Sequence, residues 1–154
     1  MKKIFYVVSI LLIGFYACND DDTQLSYEEQ LAVDIQKIQK YLADSNLTAQ
    51  STERGLYYII EEEGDGSRPT VDSIVEVKYA GRFLNDTTNF DSGTYKSKLN
   101  GTILGWRLGI PLFKEGGKGT LFLPSCLGYG IYGVPGIPGN SVLIFDIELL
   151  DVQD

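Results

Sequence analysis

The period of the apolar residues changes near residue 50, and this change constrains the fold more than any other feature of the sequence. Downstream of it, the segments 72–84 (DSIVEVKYAGRFL) and 142–150 (VLIFDIELL) alternate apolar and polar residues. Alternation with a period of two places the apolar side chains on one face of a strand. Each segment therefore predicts a strand with one buried face, as in antiparallel sheets.

Three other segments complete the prediction for this region. Residues 55–64 (GLYYIIEEEG) and 119–124 (GTLFLP) predict two more strands. Residues 105–115 (GWRLGIPLFKE) predict the one helix of the region, and Pro111 limits it to a short one. The expected fold class is α+β, with an antiparallel sheet and one short α-helix.

Upstream of the change, residues 26–43 have a helical pattern. Ser26 and Glu29 have the spacing of a capping box, which predicts the start of the helix. The apolar stripe comprises Leu31, Ile35, Ile38 and Leu42. The opposite face is predicted to carry Asp34, Gln36, Lys37 and Lys40. Such a stripe has to be covered by the main domain, by a second copy of the chain or by a partner, and the pattern alone does not choose among them.

The first residues have the form of a signal peptide. Lys2 and Lys3 precede an apolar run over residues 4–16, which is shorter than the ~20 residues that span a bilayer. Ala17 and Cys18 follow, and then the acidic run 19–22 (NDDD). The junction resembles a lipobox, where bacterial lipoproteins are cleaved and acylated on the new N-terminal cysteine; the alternative is an ordinary secretory signal with a chance cysteine.

These patterns divide the chain into three parts. We expect a lipoprotein signal peptide over residues 1–17, an acidic tether and amphipathic helix over 18–51, and the main domain over 52–154. Acylation of Cys18 would give a membrane partner through a lipid anchor in the cell envelope, with the outer membrane as the expected location. Cys126 would then have no intramolecular partner, and its apolar neighbours predict a buried structural thiol.

The composition excludes several kinds of function. The chain has 13 basic and 21 acidic residues, and removal of the two lysines of the signal leaves 11 − 21 = −10, so a nucleic-acid partner is not expected. It has no histidine, which excludes Ser-His and Cys-His catalytic pairs and the commonest zinc sites within the chain. We therefore expect neither a metal nor another cofactor.

Five segments together resemble a known family. They are VEVKYAGRFL (75–84), NFDSG (89–93), TILGW (102–106), GGKGTLFLPSCLGYG (116–130) and GVPGIPGNSVLIFDIELL (133–150). Their order and spacing are similar to those of FK506-binding-protein (FKBP) type peptidyl-prolyl cis/trans isomerases, over about residues 52–154. The resemblance implies a half-open antiparallel β-sheet wrapped around one short α-helix. It also implies an isomerase that acts on X-Pro bonds and assists protein folding.

The resemblance also implies the residues of the site. The expected catalytic residues are Tyr79, Asp91, Trp106, Tyr129 and Phe145, with Trp106 as the floor of an apolar pocket. The expected substrate-binding residues are Phe90, Thr102, Ile103 and Ile137, with the Ile103 amide and the Tyr129 hydroxyl facing the ligand carbonyls. Rotation about an X-Pro bond makes and breaks no covalent bond, so the chemistry agrees with a chain that lacks histidine.

The sequence departs from the family pattern between Phe90 and Trp106. Only fifteen residues (91–105) separate them, fewer than in the small members of the family, and the segment 91–101 is the shortened one. Two alternatives follow: either two pocket aromatics are absent, with reduced activity, or Tyr95 and Leu99 replace them.

The expected partners are proline-containing segments of unfolded or flexible proteins. Binding of macrolides and, through the N-terminal helix, of a second copy of the chain are left as open alternatives. The alternatives to an efficient isomerase are a catalytically weak proline-binding or chaperone module and an envelope assembly subunit.

Overall fold

A computed structural model describes residues 25–154. The predicted signal peptide and the acylation site at Cys18 lie outside the described residues. The elements are α1 (Tyr27–Asp44), β1 (Gln50–Ser51), β2 (Tyr57–Glu62), β3 (Ile74–Phe83), β4 (Asn89–Lys98), α2 (Leu104–Gly109), β5 (Lys118–Leu123) and β6 (Leu143–Gln153). Short 3-10 turns occupy Leu99–Gly101, Ile110–Leu112 and Ser125–Leu127.

The strands form one antiparallel sheet in the order β1-β2-β5-β6-β3-β4. The predicted α+β class, with an open sheet around one short helix, is confirmed. As expected from Pro111, α2 ends at Gly109 and continues only as the single 3-10 turn that contains the proline.

Alternate residues of the central strands build two separate cores. On one face, Leu121 of β5 and Phe145 of β6 belong to the main core together with Trp106 of α2. On the other face, Phe122 and Ile144 belong to a smaller core. Because successive side chains of a strand point to opposite faces, the sheet is covered by α2 on one side and, in part, by α1 on the other.

Helix α1 covers the apolar part of the second face. Its residues Ile38 and Leu42 pack in the smaller core, whose other buried members are Leu84, Phe122, Val142 and Ile144. The predicted capping box is present: Glu29 N donates to Ser26 Oγ (3.3 Å) and Ser26 N donates to a Glu29 carboxylate oxygen (2.9 Å). Of the three ways to cover the apolar stripe, packing on the main domain is the one observed.

One prediction for α1 is wrong. Asp34 was placed on the solvent face, but its side chain is fully buried. The buried line along α1 is Gln30, Asp34, Ile38 and Leu42. These residues recur every four positions, so Asp34 lies on the same face of the helix as Ile38 and Leu42, one turn before Ile38.

Two strands were not predicted, β1 and β4. The longer of them, β4, pairs along its length with β3 and forms one edge of the sheet. Its residues are mostly exposed, so it lacks the alternation that reveals a strand with one buried face.

The expectation of a buried Cys126 also needs correction. The thiol is free and only half-buried, and this partial burial raises its pKa. Within residues 25–154, no helix has both the length and the apolar character needed to cross a membrane.

Candidate active site

A cavity of about 260 Å³ opens between α2, the β3–β4 hairpin and the loop after β5. Its lining residues are Tyr79, Phe90, Asp91, Tyr95, Gly101, Thr102, Ile103, Trp106, Tyr129 and Phe145. Eight of the nine positions assigned from the resemblance therefore lie around one cavity, although they come from distant parts of the chain. Their roles in binding and catalysis stay predictions.

Trp106 is the centre of the aromatic wall. It lies in the first turn of α2, is 6 % exposed, and meets Tyr79, Tyr95 and Phe145 at ring-centroid distances of 5.2, 5.9 and 5.5 Å. The rings cross at 76–83°, which is the edge-to-face arrangement that aromatic pairs favour. Rings packed in this way are held rigidly and leave an apolar floor.

Trp106 also carries an unusual polar group. Its indole Nε1 is buried and has no hydrogen-bond partner among residues 25–154. A buried donor without an acceptor costs free energy. This unpaired N–H therefore distinguishes the site from an ordinary core, in which buried polar groups are hydrogen-bonded.

Tyr79 and Asp91 are joined across the hairpin. Tyr79 pairs with Gly93 and Gly81 pairs with Asp91, so the two side chains are diagonal neighbours on the same face. The Tyr79 hydroxyl donates to Asp91 Oδ2 at 2.7 Å. This hydrogen bond to a carboxylate, with partial burial, raises the pKa of Tyr79 to about 12.

Tyr129 lies opposite, on the loop that follows β5. Among residues 25–154 its hydroxyl makes no hydrogen bond, and burial, with the negative charge of Asp91 as a smaller cause, raises the pKa of this phenol. The Tyr129 hydroxyl is thus a protonated donor that no group in residues 25–154 engages.

A second free donor lies at the rim. The Ile103 carbonyl accepts from Trp106 N (3.0 Å) and Arg107 N (3.2 Å) at the start of α2, whereas the Ile103 amide finds no acceptor within the described part of the chain. Thr102 beside it is held by its hydroxyl, which donates to the Leu99 carbonyl at 2.7 Å. Two donors, one phenol and one amide, therefore border the aromatic floor.

Ile137 is the one assigned position that does not line the cavity. It is 8 % exposed, belongs to the main core and forms an isolated β-bridge with Val134. The bridge closes a tight loop in which Gly133 has φ of 65° and a Cβ there would lie 2.1 Å from the Ile137 carbonyl oxygen, so a glycine is required. Ile137 packs beneath the loop instead of pointing into the cavity.

The shortened segment 91–101 forms most of β4 and one 3-10 turn. Tyr95 of β4 lines the cavity, in line with the expectation that it substitutes for a missing aromatic. Leu99 does not line it and is fully buried in the core. Gly101, which lines the rim, was not singled out in the sequence, because a residue without a side chain leaves no chemical signal. Among residues 25–154, no group of three or more acidic, cysteine or histidine side chains is placed to hold a metal ion.

Comparison with known proteins identifies the family. Residues 66–150 match the model of the FKBP-type peptidyl-prolyl cis-trans isomerases, which is more than half of the chain. The chain belongs to this family. The FKBP-type isomerase FkpA of Aeromonas hydrophila is 44 % identical over 109 residues, which cover 68 % of this chain and 40 % of the relative. The chain thus spans about two fifths of the length of the curated relatives it matches.

Solved structures of FKBP-type and other isomerases have the same fold. The crystal structure of FkpA from Escherichia coli matches with a TM-score of 0.71 at 37 % identity, over 82 % of this chain and 62 % of that one. A peptidyl-prolyl cis-trans isomerase from Pseudomonas syringae matches with a TM-score of 0.69 at 26 % identity, over 86 % of this chain and 99 % of that one.

Proposed function

We propose that this chain is a peptidyl-prolyl cis/trans isomerase that assists protein folding in the cell envelope. The observation that carries the proposal is an aromatic cavity bordered by two donors, the Tyr129 hydroxyl and the Ile103 amide, which have no acceptor within residues 25–154. Membership of the FKBP-type family supports the same activity.

The proposed mechanism needs only noncovalent contacts. The barrier to rotation about an X-Pro bond is ~18–20 kcal/mol, because the amide loses its resonance as it twists. A proline ring on Trp106 would leave water, which stabilises the planar polar amide, so exclusion of water would favour the twisted state. Donation from Tyr129 and Ile103 to the flanking carbonyls would hold the peptide in a bent form. Each ~1.4 kcal/mol of preferential binding to the twisted form raises the rate tenfold.

The test is refolding of a proline-limited protein in the presence of residues 25–154. Tyr129→Phe keeps the ring and removes the donor, and should slow the reaction by roughly tenfold, the effect of ~1.4 kcal/mol. Tyr58→Phe is the matched control, because Tyr58 lies on β2 and its hydroxyl donates to Gln50 away from the cavity. No acceleration by the unmodified protein would remove the claim of an enzyme.

A second candidate function is the binding of client segments with little catalysis. The loop next to Tyr129 exposes three apolar residues, Ile131, Tyr132 and Val134, which are 38, 87 and 43 % exposed. Exposed apolar side chains beside a peptide pocket support capture of unfolded chains. Suppression of client aggregation without acceleration of refolding, lost when the three residues are changed to serine, would select this function.

Macrolide binding is proposed for the same cavity. Titration of the fluorescence of Trp106, the only tryptophan of the chain, with a proline peptide and with a macrolide tests both ligands directly. A saturable change with the peptide alone would leave the isomerase proposal in place and remove the macrolide.

Lipid anchoring through Cys18 is proposed from the sequence of residues 1–22. The proposal includes cleavage after residue 17, a tether from residue 18 to α1, and location at the outer membrane. Labelling of the full chain with a radioactive fatty acid should mark the wild type and leave Cys18→Ser unlabelled. Equal recovery of both in the soluble fraction would contradict the anchor.

A dimer or an envelope assembly through α1 would have to use the exposed side of this helix. Its apolar line is already packed on the sheet through Ile38 and Leu42. Sedimentation of residues 25–154 tests self-association: the monomer mass removes the helix-mediated dimer, and twice that mass supports it.

A further inference from the structure

A buried carboxylate joins α1 to the loop that carries Tyr129. Asp34 Oδ2 accepts from Ser125 N at 2.9 Å and from Ser125 Oγ at 2.5 Å. Its other oxygen, Oδ1, accepts from Gln30 Nε2 at 2.8 Å and from Lys37 Nζ at 3.1 Å. The Asp34 side chain is fully buried and Ser125 is 1 % exposed. The two carboxylate oxygens thus accept four hydrogen bonds, and two of these come from Ser125 in the loop.

Ser125 in turn fixes the backbone on both sides of Tyr129. Its carbonyl oxygen accepts from Gly128 N at 3.0 Å and from Gly130 N at 2.8 Å. These are the two immediate neighbours of Tyr129 in the chain. Ser125 is consequently held by α1 through its amide and hydroxyl, and it holds the Tyr129 segment through its carbonyl oxygen.

Attachment of the helix alone does not require this arrangement. Ile38 and Leu42 already fasten α1 to the sheet through an apolar core. A buried carboxylate is costly to desolvate and is a weak source of net stability compared with apolar packing. Its donors, however, define a direction and a distance, which apolar contacts do not. The Ser125 segment is a 3-10 turn outside the sheet, so no strand ladder positions it.

We propose that Asp34 is a positioning residue for Tyr129, acting through Ser125. This proposal rests on the proposed function, in which the Tyr129 hydroxyl donates to the substrate carbonyl. Asp34 does not touch the cavity and is not catalytic; it sets the height and angle at which the Tyr129 ring enters the cavity. Helix α1, which lies on the opposite face of the sheet from α2, is thereby part of the machinery that shapes the site.

The test compares Asp34→Ala with Asp34→Asn in residues 25–154. Asparagine keeps an acceptor for both Ser125 groups, and the Gln30 amide can turn to accept from the new Nδ2. Lys37, which also donates to Asp34 Oδ1, has a side chain that is 46 % exposed and can turn to solvent. Misplacement of the Tyr129 hydroxyl can cost no more than its removal, so kcat/KM should fall in Asp34→Ala by up to roughly tenfold, as in Tyr129→Phe, and recover in Asp34→Asn. Leu42→Ala is the control for loosening of α1, because Leu42 packs in the smaller core about two helical turns from Asp34 and does not line the cavity.

Two further measurements separate positioning from stability. In the Tyr129→Phe background, Asp34→Ala should have little additional effect on kcat/KM, because residues that act as a unit are not additive. The amide hydrogens of Gly128 and Gly130 should exchange faster in Asp34→Ala than in Leu42→Ala. If Asp34→Ala does not fold, Asp34→Glu serves instead, since the added methylene shifts the carboxylate against Ser125.

Each outcome bears on the proposal. Equal losses in Asp34→Ala and Leu42→Ala, or full additivity of Asp34→Ala with Tyr129→Phe, would overturn it. If the wild type accelerates no refolding, the proposed function fails. Faster amide hydrogen exchange at Gly128 and Gly130 that is confined to the Asp34 variants would still support the positioning role. Exchange in the Asp34 variants equal to that in Leu42→Ala would refute this role.

Discussion

Tyr79 donates its hydroxyl hydrogen to Asp91 across the β3–β4 hairpin at 2.7 Å, whereas the hydroxyl of Tyr129, which lines the same cavity, has no partner within residues 25–154. The two phenols of the site are thus in different states. One is held as part of the wall, and the other is available to a ligand.

This difference predicts how stability depends on pH. The pKa of Tyr79 is raised from 10.0 to about 12 in the folded chain, so the folded state retains a proton that the unfolded state releases. The stabilisation is fully present below about pH 10 and is lost as the pH rises toward 12. The difference in free energy of unfolding between the wild type and Tyr79→Phe should therefore decrease between pH 10 and 12. Denaturant unfolding at several pH values measures it.

Asp91→Asn gives the matched control for that experiment. Asparagine still accepts from Tyr79 but removes the negative charge, so the pKa of Tyr79, followed by tyrosinate absorbance, should fall. A pH dependence identical in the wild type and Tyr79→Phe would contradict the assigned hydrogen bond.

Gly81 makes room for the aromatic wall. A Cβ at this position would lie 2.7 Å from Phe145 Cε1 and 2.8 Å from Phe90 Cζ. Gly81→Ala should displace both rings, with a loss of about 1–3 kcal/mol in stability from overpacking and a weaker affinity for proline peptides. Gly93→Ala on the neighbouring strand is the control, because a Cβ there meets nothing within 4 Å. Equal affinities for the two variants would show that the wall tolerates the shift.

Trp106 should be the most costly residue of the site to truncate. Trp106→Ala removes a ring that contacts three others and should lower the free energy of unfolding by about 3–5 kcal/mol. Trp106→Phe keeps an apolar ring and also removes the unpaired indole N–H, so its cost should be clearly smaller. Urea unfolding of both variants gives the comparison. A Trp106→Phe variant as unstable as Trp106→Ala would contradict the smaller cost expected when an aromatic ring is kept and the N–H is removed.

Helix α1 should stabilise the whole domain. Ile38 is fully buried against the sheet, and Ile38→Ala should cost about 2–5 kcal/mol. Removal of residues 25–45 should have a larger effect, because it exposes Phe122 and Ile144. Lys40→Ala, on the exposed side of the helix, is the control for Ile38→Ala. Unchanged thermal unfolding of residues 46–154 would show that the helix is dispensable.

The sequence predicted those parts of the fold that local patterns encode. The capping box of Ser26 and Glu29 located the start of α1 because cap and partner are three residues apart. The alternation in β3 and β6 located two strands because one face of each is apolar. β4 was missed because an edge strand with few buried side chains carries no such alternation.

Asp34 shows the limit of reading a helix by its apolar residues alone. Its spacing of three from Leu31 and of four from Ile38 places it on the buried side, and that spacing was a usable signal. Its partner Ser125 is 91 residues away in the chain, and no local sequence pattern predicts a hydrogen bond between residues so far apart. The cavity residues likewise came from the family resemblance and not from periodicity, since aromatic side chains in a sheet are most often core residues.

The position of β6 has a consequence for biosynthesis. This strand lies between β5 and β3, so within the described chain it is the only strand that hydrogen-bonds to both halves of the sheet. While the polypeptide emerges from the ribosome, β2 with β5 and β3 with β4 can pair, but the halves cannot close on each other until the final strand has been synthesised. Formation of such long-range pairings is slow, so the sheet stays open until after residues 143–153 have left the ribosome.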